Sequence, residues 1–200
     1  MQKIPTLFAR DWNGDRRYVL SEVTVGCEWV LKGEGTPTRK YDGTCVRFDG
    51  SAWWARRELK AGKPAPAGFI EVGHDAETGK TIGWEPAEQS GFAKWLTEAA
   101  ADGVQAAADG VEAAAGPARG ADWQPGTYEL VGPKVNGNPE QEAGHRLVRH
   151  DDAQVLADTP RDFESLATWL HAQPYEGIVW HHEDGRMAKL KKRDFRAPPS

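Results

Sequence analysis

Two hundred residues, 39% of them hydrophobic and 28% charged, with a net charge of −5, describe one globular domain able to bury a sizeable core. They exclude a chain-wide basic field of the kind that announces a nucleic-acid partner, although positive charge gathers locally at Arg56-Arg57, Lys60 and Lys63 and again from Lys189 to Arg196. Two cysteines, Cys27 and Cys45, are too few for a disulfide framework, no window nears the ~18 apolar residues of a membrane span, and Met1–Pro5 opens no signal peptide, so a cytoplasmic protein is expected.

In chain order, Tyr18–Val30 mixes β-branched, aromatic and polar residues and predicts one or two strands. Thr36–Arg39 is a turn-prone approach to Lys40. Cys45–Phe48 and Ala52–Arg57 flank Asp49-Gly50, a dipeptide favoured in tight turns, and predict a hairpin. Gly62–Gly68 reads as a loop. Glu88–Ala101 predicts a helix with Phe92, Trp95, Leu96 and Ala99 on its apolar face. The Ala-rich stretch Ala100–Ala121 holds a seven-residue repeat with glycine in each copy. It is expected to be a low-complexity insertion, a frayed helical extension or a surface loop, with no chemistry of its own.

Gly126–Val131 reads as a strand and Gly132–Pro139 as a loop, with short strands at Arg146–Val148 and Gln154–Leu156. Thr159-Pro160-Arg161-Asp162 marks a helix start in which Thr159 can cap and Pro160 suits the first position. Phe163, Leu166, Ala167 and Leu170 make the buried stripe of that helix, which should stop near Gln173-Pro174. A strand over Glu176–His181, a turn at Asp184-Gly185 and a strand over Met187–Lys191 complete the chain. Along that last strand Lys189 and Lys191 share one face while Leu190 turns to the core.

Lys40-Tyr41-Asp42-Gly43, then Glu176-Gly177 opening a hydrophobic strand, then Lys189-Leu190-Lys191, form an ordered set. In that order and spacing the set resembles the covalent nucleotidyltransferase superfamily of ATP-dependent DNA and RNA ligases and capping enzymes. The RNA ligase branch fits best. Tyr128-Glu129-Leu130-Val131-Gly132, followed by Pro-Lys-Val-Asn-Gly-Asn-Pro, is similar to the small single-domain RNA ligases, as is Thr6–Asp11. The third motif of the family carries a glycine between its aromatic and its glutamate that this chain lacks.

The resemblance implies an α+β fold of antiparallel sheets flanked by helices, ATP-grasp-like, in a single domain over 1–200. No C-terminal OB-fold is expected, since nine residues follow Lys191. It implies an ATP-dependent RNA ligase that joins 5′-phosphate and 3′-hydroxyl RNA ends through a lysyl-AMP on Lys40, acting as a monomer with Mg²⁺ or Mn²⁺. By the same resemblance Lys189 and Lys191 contact the α-phosphate, Glu176 and Asp42 hold metal, Gly43 lets backbone approach the nucleotide, Glu129 touches ribose or metal, and Arg57, in preference to Arg56, meets a phosphate. At a reference pKa of ~10.4, freeing the Lys40 amine at pH 7 costs about 4.6 kcal/mol, which neighbouring cations (Lys189, Lys191, a metal) would lower. A DNA ligase, a capping-type enzyme or a non-catalytic nucleotide- or RNA-binding module is the alternative.

Two further patterns look like sites and are set aside. Thr78-Gly79-Lys80-Thr81 has His74 where a phosphate-binding loop needs glycine, and His181-His182-Glu183 lacks further placed ligands, so its histidines are expected to be exposed.

Overall fold

A computed structural model describes residues 3–76, 78–108 and 123–196, with the side chains of 102–108 outside the description. The chain folds as two compact units: Ile4–Tyr41 with Gln154 onward, and Asp42–Ala153. The boundary falls between Tyr41 and Asp42, inside the Lys-x-Asp-Gly run. The class is α+β with antiparallel sheets and few helices.

The first unit is built on a three-stranded sheet in the order β11-β10-β3, where β3 is Thr36–Lys40, β10 is Gly177–His181 and β11 is Met187–Lys191. Alternation divides its side chains cleanly. Ile178, Trp180, Ala188 and Leu190 are buried, and pack with Leu166 and Leu170 of helix α3 (Phe163–His171) and Trp29 and Val30 of helix α1 (Glu28–Leu31). Phe163 and Ala167 join that cluster, as the stripe predicted.

Both sheet edges are covered by chain. Leu7 N–H donates to Lys189 O (2.8 Å) and Lys189 N–H to Pro5 O (2.9 Å), so the N-terminal segment closes the β11 edge. Arg39 N–H donates to Gln154 O (2.8 Å) and Leu156 N–H to Pro37 O (2.9 Å), closing the β3 edge. The expected strand at Gln154–Leu156 is thus a bridge of Val155 to Thr38, and the expected turn before Lys40 is the strand β3 itself. A two-stranded ribbon, β1 (Phe8–Arg10) with β2 (Val19–Val23), completes the unit. Only the front of Tyr18–Val30 is strand. Glu28–Leu31 turns helical because that buries Trp29 and Val30 against the sheet. Asp162 caps α3 by accepting from Ser165 N–H at 2.9 Å, whereas the Thr159 hydroxyl donates to Leu156 O and caps nothing.

The second unit is a six-stranded antiparallel sheet in the order β6-β7-β5-β4-β8-β9. Its strands are β4 (Thr44–Phe48), β5 (Trp53–Leu59), β6 (Ile70–Asp75), β7 (Lys80–Pro86), β8 (Gly126–Val131) and β9 (Arg146–Arg149). The hairpin at Asp49-Gly50 forms as predicted: Asp49 Oδ1 accepts from the N–H groups of Ser51 and Ala52 at 2.9 Å, which holds its carboxyl well below the usual range. Helix α2 (Ala93–Ala108) lays Leu96 and Ala99 on Val46, Tyr128, Leu130 and Leu147, with Phe92 and Trp95 alongside. The helix starts later than predicted and runs into the Ala-rich stretch, the rest of which lies outside the described residues. Strands β6 and β7 carry no clear alternation signal. The Thr78–Thr81 pattern falls at their hairpin, where Gly79 is left-handed and its N–H donates to Asp75 O. No helix among the described residues is long and apolar enough to cross a membrane.

Candidate functional site

Within the first unit, register brings the lysines together. Gly177 lies opposite Lys40 on one side and Lys191 on the other; Val179 likewise lies between Thr38 and Lys189. Because side chains alternate, Lys40, Lys189 and Lys191 all stand on the face away from the apolar core. Gly177 leaves the middle of the row empty. A Cβ there would run into Leu190 O and the Lys191 Cα, so no side chain fits. Gly177→Ala should therefore cost about 1–3 kcal/mol, as overpacking does. Chemical unfolding checks this, and an unchanged midpoint would show that the strands yield freely.

Glu176, one residue before the strand, supplies the charge for this row. Its carboxylate side chain is 7% exposed, and Lys40 Nζ lies 2.6 Å from Oε2 while Lys191 Nζ lies 2.5 Å from Oε1. Each oxygen of the carboxylate thus faces one ammonium group. Arg193 stands 3.7 Å off and is 72% exposed, so water screens it. Burial by itself pushes the Glu176 carboxyl up. The charges of Lys40 and Lys191 outweigh it, and the net shift is downward, so Glu176 is an anion at neutral pH.

The environment of Lys40 thus differs from a purely cationic one. Lys191 is in place as a second ammonium on the same carboxylate, but the group against Lys40 Nζ is that carboxylate, which favours the ammonium form. Behind the strand Arg39 is stacked between two rings, its guanidinium 4.6 Å from the Tyr41 centroid and 5.3 Å from that of Tyr175, which stiffens the segment carrying Lys40.

The second unit holds Asp42, Gly43, Arg57 and Glu129. Asp42 and Gly43 are gripped by the Gly/Pro/Asn loop and its continuation. Asp42 N–H donates to Glu140 Oε1 (2.8 Å), and Asn136 Nδ2 donates to both Asp42 Oδ1 (3.1 Å) and Gly43 O (2.7 Å). Gly43 N–H donates to Glu129 Oε1 (3.2 Å). A Cβ on Gly43 would strike Leu130 O and the Glu129 side chain, so close approach explains the glycine. Asn136 is left-handed (φ 49°), a conformation asparagine tolerates. Asn136→Gly keeps that backbone and removes both side-chain bonds. The expected loss of stability is about 1–2 kcal/mol, read from the unfolding midpoint, and no loss would deny the grip.

Sheet parity separates Arg57 from Glu129. The pairings Val46↔Ala55 and Val46↔Tyr128 set Ala55, Arg57 and Tyr128 on the face covered by α2, and Glu129, Cys45 and Arg56 on the other. Arg57 is spoken for there: its guanidinium meets Glu85, a buried carboxylate, at 3.1 Å. Arg56 is the arginine that shares a face with Glu129, where it also pairs with Glu58 at 3.0 Å. Alternation thus puts the two arginines on opposite faces of β5, Arg57 beside Glu85 and Arg56 on the side of Glu129.

The histidines set aside earlier are half-buried rather than exposed. His182 is bracketed by Glu34 (2.8 Å) and Asp184 (2.9 Å), and His181 meets the Thr38 hydroxyl. Side chains that the sequence reading passed over are Asn136, Glu140, Cys45 and His150. Asn136 and Glu140 had a signal, since they sit in and beside the loop that follows the Glu129 strand. His150 had none.

A family profile described as RNA ligase 1 matches residues 105–196. That span takes in Glu129, Glu176, Lys189 and Lys191 and leaves Lys40, Asp42, Gly43 and Arg57 before it. RNA ligase 1 of Danio rerio is 32% identical over 80 residues, covering 36% of this chain and 25% of the relative. RNA ligase 1 of Pongo abelii is 24% identical over 213 aligned positions, covering 78% of this chain and 66% of the relative. The chain therefore spans from a quarter to just under two thirds of the length of these relatives. These similarities support an RNA ligase family.

Proposed function

We propose that this chain is an ATP-dependent RNA ligase that seals a 5′-phosphate to a 3′-hydroxyl through a lysyl-AMP on Lys40. The reading takes its α+β architecture as the ATP-grasp-like nucleotidyltransferase fold, and RNA ends as the polymer substrate. What supports it most is the shared carboxylate: Lys40 and Lys191, 151 residues apart in sequence, meet on Glu176, the three residues that the resemblance assigns to adenylyl transfer.

In the first step Lys40 Nζ bonds to the α-phosphorus of ATP, the bond to the bridging oxygen breaks, pyrophosphate leaves, and the amine proton passes to solvent. The adenylate then moves to the RNA 5′-phosphate, and the 3′-hydroxyl attacks that phosphate and expels AMP. Each step is won by positioning and charge neutralisation. Glu176 keeps the proton on Lys40 while the two are paired. Lys191 supplies the cationic neighbour that favours the amine once that pair is broken, and Lys191 and Lys189, on one face, offer two positive charges to phosphate oxygens.

Glu176, a buried carboxylate, would hold a divalent cation in exchange for its contact with Lys40, and by the resemblance Asp42 is assigned to metal as well. Bound magnesium or manganese would there neutralise phosphate charge. On the other unit, Glu129 is assigned to ribose or metal and Arg56 is the better candidate than Arg57 for a phosphate.

The test is incubation with α-labelled ATP and Mg²⁺, then with 5′-phosphorylated RNA. Covalent label that pyrophosphate reverses and RNA discharges as a sealed product is the expected result. Label from GTP alone, or sealing of nicked DNA but not RNA, contradicts the substrate assignment. Nucleotide held without an adduct contradicts the enzyme.

A further inference from the structure

On the face of the six-stranded sheet opposite α2, a sulfur, a nitrogen and an oxygen donor converge. Cys45 Sγ, a Glu129 carboxylate oxygen and a His150 ring nitrogen lie within 4.8 Å of one another. Topology puts them there. Cys45 is directly opposite Glu129 in the β4–β8 pairing, and Val148 of β9 is opposite Glu129 on its other side, two residues before His150. Strand alternation turns Cys45 and Glu129 to the same side, and the single-turn helix His150–Asp152 folds the imidazole over them.

Glu129 is only 8% exposed, and among the described residues its ion pair is with His150, at 3.0 Å from Oε2, rather than with a lysine or arginine. A buried carboxylate without a permanent cation is costly. The remaining contacts already resemble the outer support of a metal site. His150 Nδ1 lies 2.9 Å from the Thr127 hydroxyl, which fixes the ring and leaves Nε2 directed at Glu129. Gly43 N–H holds Oε1 of the same carboxylate, leaving Oε2 toward the cluster.

The donor set selects the cation. Thiolate and imidazole suit a borderline-soft ion, whereas magnesium takes oxygen ligands. In tetrahedral zinc sites neighbouring ligand atoms sit about 3.5 Å apart, a spacing reached here by small side-chain rotations. We propose that Cys45, Glu129 and His150 form a zinc-binding site with three protein ligands and one position open. Binding replaces the Glu129–His150 contact with two bonds to the metal and releases the Cys45 thiol proton to solvent. The site shares Glu129 with the ligase reading, which gives that residue to ribose or metal, but zinc binding itself needs neither nucleotide nor RNA.

The experiment titrates the full chain with Co²⁺ and then Zn²⁺, without nucleotide. One Co²⁺ per chain is expected, with the thiolate-to-metal charge-transfer absorption of a four-coordinate site, and one equivalent of Zn²⁺ should abolish the absorption. Cys45→Ser should remove that absorption, His150→Ala should weaken binding at least 10-fold, and Thr127→Val, which spares every ligand, about 10-fold. Zinc should also protect Cys45 from alkylation in the unaltered protein, a readout that no variant's folding can confuse. Absence of saturable binding, charge transfer that survives Cys45→Ser, or alkylation of Cys45 unaffected by zinc would each overturn the proposal.

Discussion

Replacing Lys40 by alanine is expected to abolish covalent adenylylation and RNA sealing together, by on the order of 10⁴-fold or more, the scale of deleting an enzyme nucleophile. Lys40→Arg should be equally inactive, because a guanidinium keeps its charge and cannot attack phosphorus. Neither change should unfold the chain. Glu176 keeps Lys191 at 2.5 Å when Lys40 is gone, so its buried carboxylate retains one partner. Autoradiography of the protein and a sealing assay read the activity, and thermal melting reads the fold. Residual label in a folded Lys40→Ala protein would place the nucleophile elsewhere.

Glu176 carries the second large effect, and it is expected on both stability and activity. In Glu176→Ala two ammonium groups are left together on one sheet face without their anion. Removing one partner of a buried pair costs about 3–5 kcal/mol. Lys40 and Lys191 side chains are 20% and 18% exposed, so solvent reaches both and a loss of about 1–3 kcal/mol is expected. Covalent labelling should fall by at least 10²-fold at the same time.

The pH dependence separates charge from shape. The folded-state Glu176 carboxyl is held below its ordinary value by Lys40 and Lys191, against the opposing effect of burial. A depressed carboxyl stabilises the fold fully above its unfolded value, and that contribution disappears as pH falls through the folded one. The stability difference between the parent protein and Glu176→Gln should thus be flat from pH 7 to about 5 and shrink below about 4.3, the ordinary glutamate value. Chemical unfolding of both proteins across that range is the check. A difference that grows on acidification would mean that the carboxylate is not stabilised by its lysines.

Much of this arrangement can be read from sequence, for reasons particular residues make plain. Lys189-Leu190-Lys191 alternates, and alternation alone puts both lysines on one face and Leu190, fully buried, on the other. Asp49-Gly50 specifies its hairpin locally. The Phe163–Leu170 stripe specifies a helix, though its cap is Asp162, which accepts from Ser165 N–H, and not Thr159.

What sequence does not carry is register. Nothing in Lys40 or Glu176 says that Gly177 will lie between two lysines and that Glu176 will be bound by both. The same limit hid the Cys45–Glu129–His150 cluster, whose members come from two paired strands and the single-turn helix that follows β9. It also bears on the two arginines: parity within β5 was legible, but which of Arg56 and Arg57 shares a face with Glu129 depends on the pairing of Val46 with both Ala55 and Tyr128. Glu28–Leu31 failed for a different reason, since its strand-like side chains were overruled by the burial of Trp29 and Val30.

The most direct test of the central claim is intact-mass measurement of the folded chain after ATP and Mg²⁺, followed by peptide mapping. The account predicts one adenylate per chain, acid-labile as a phosphoramidate is, on the peptide that carries Lys40 and on no other. Folded protein that binds ATP yet never gains that mass, or gains it on a different lysine, would contradict it.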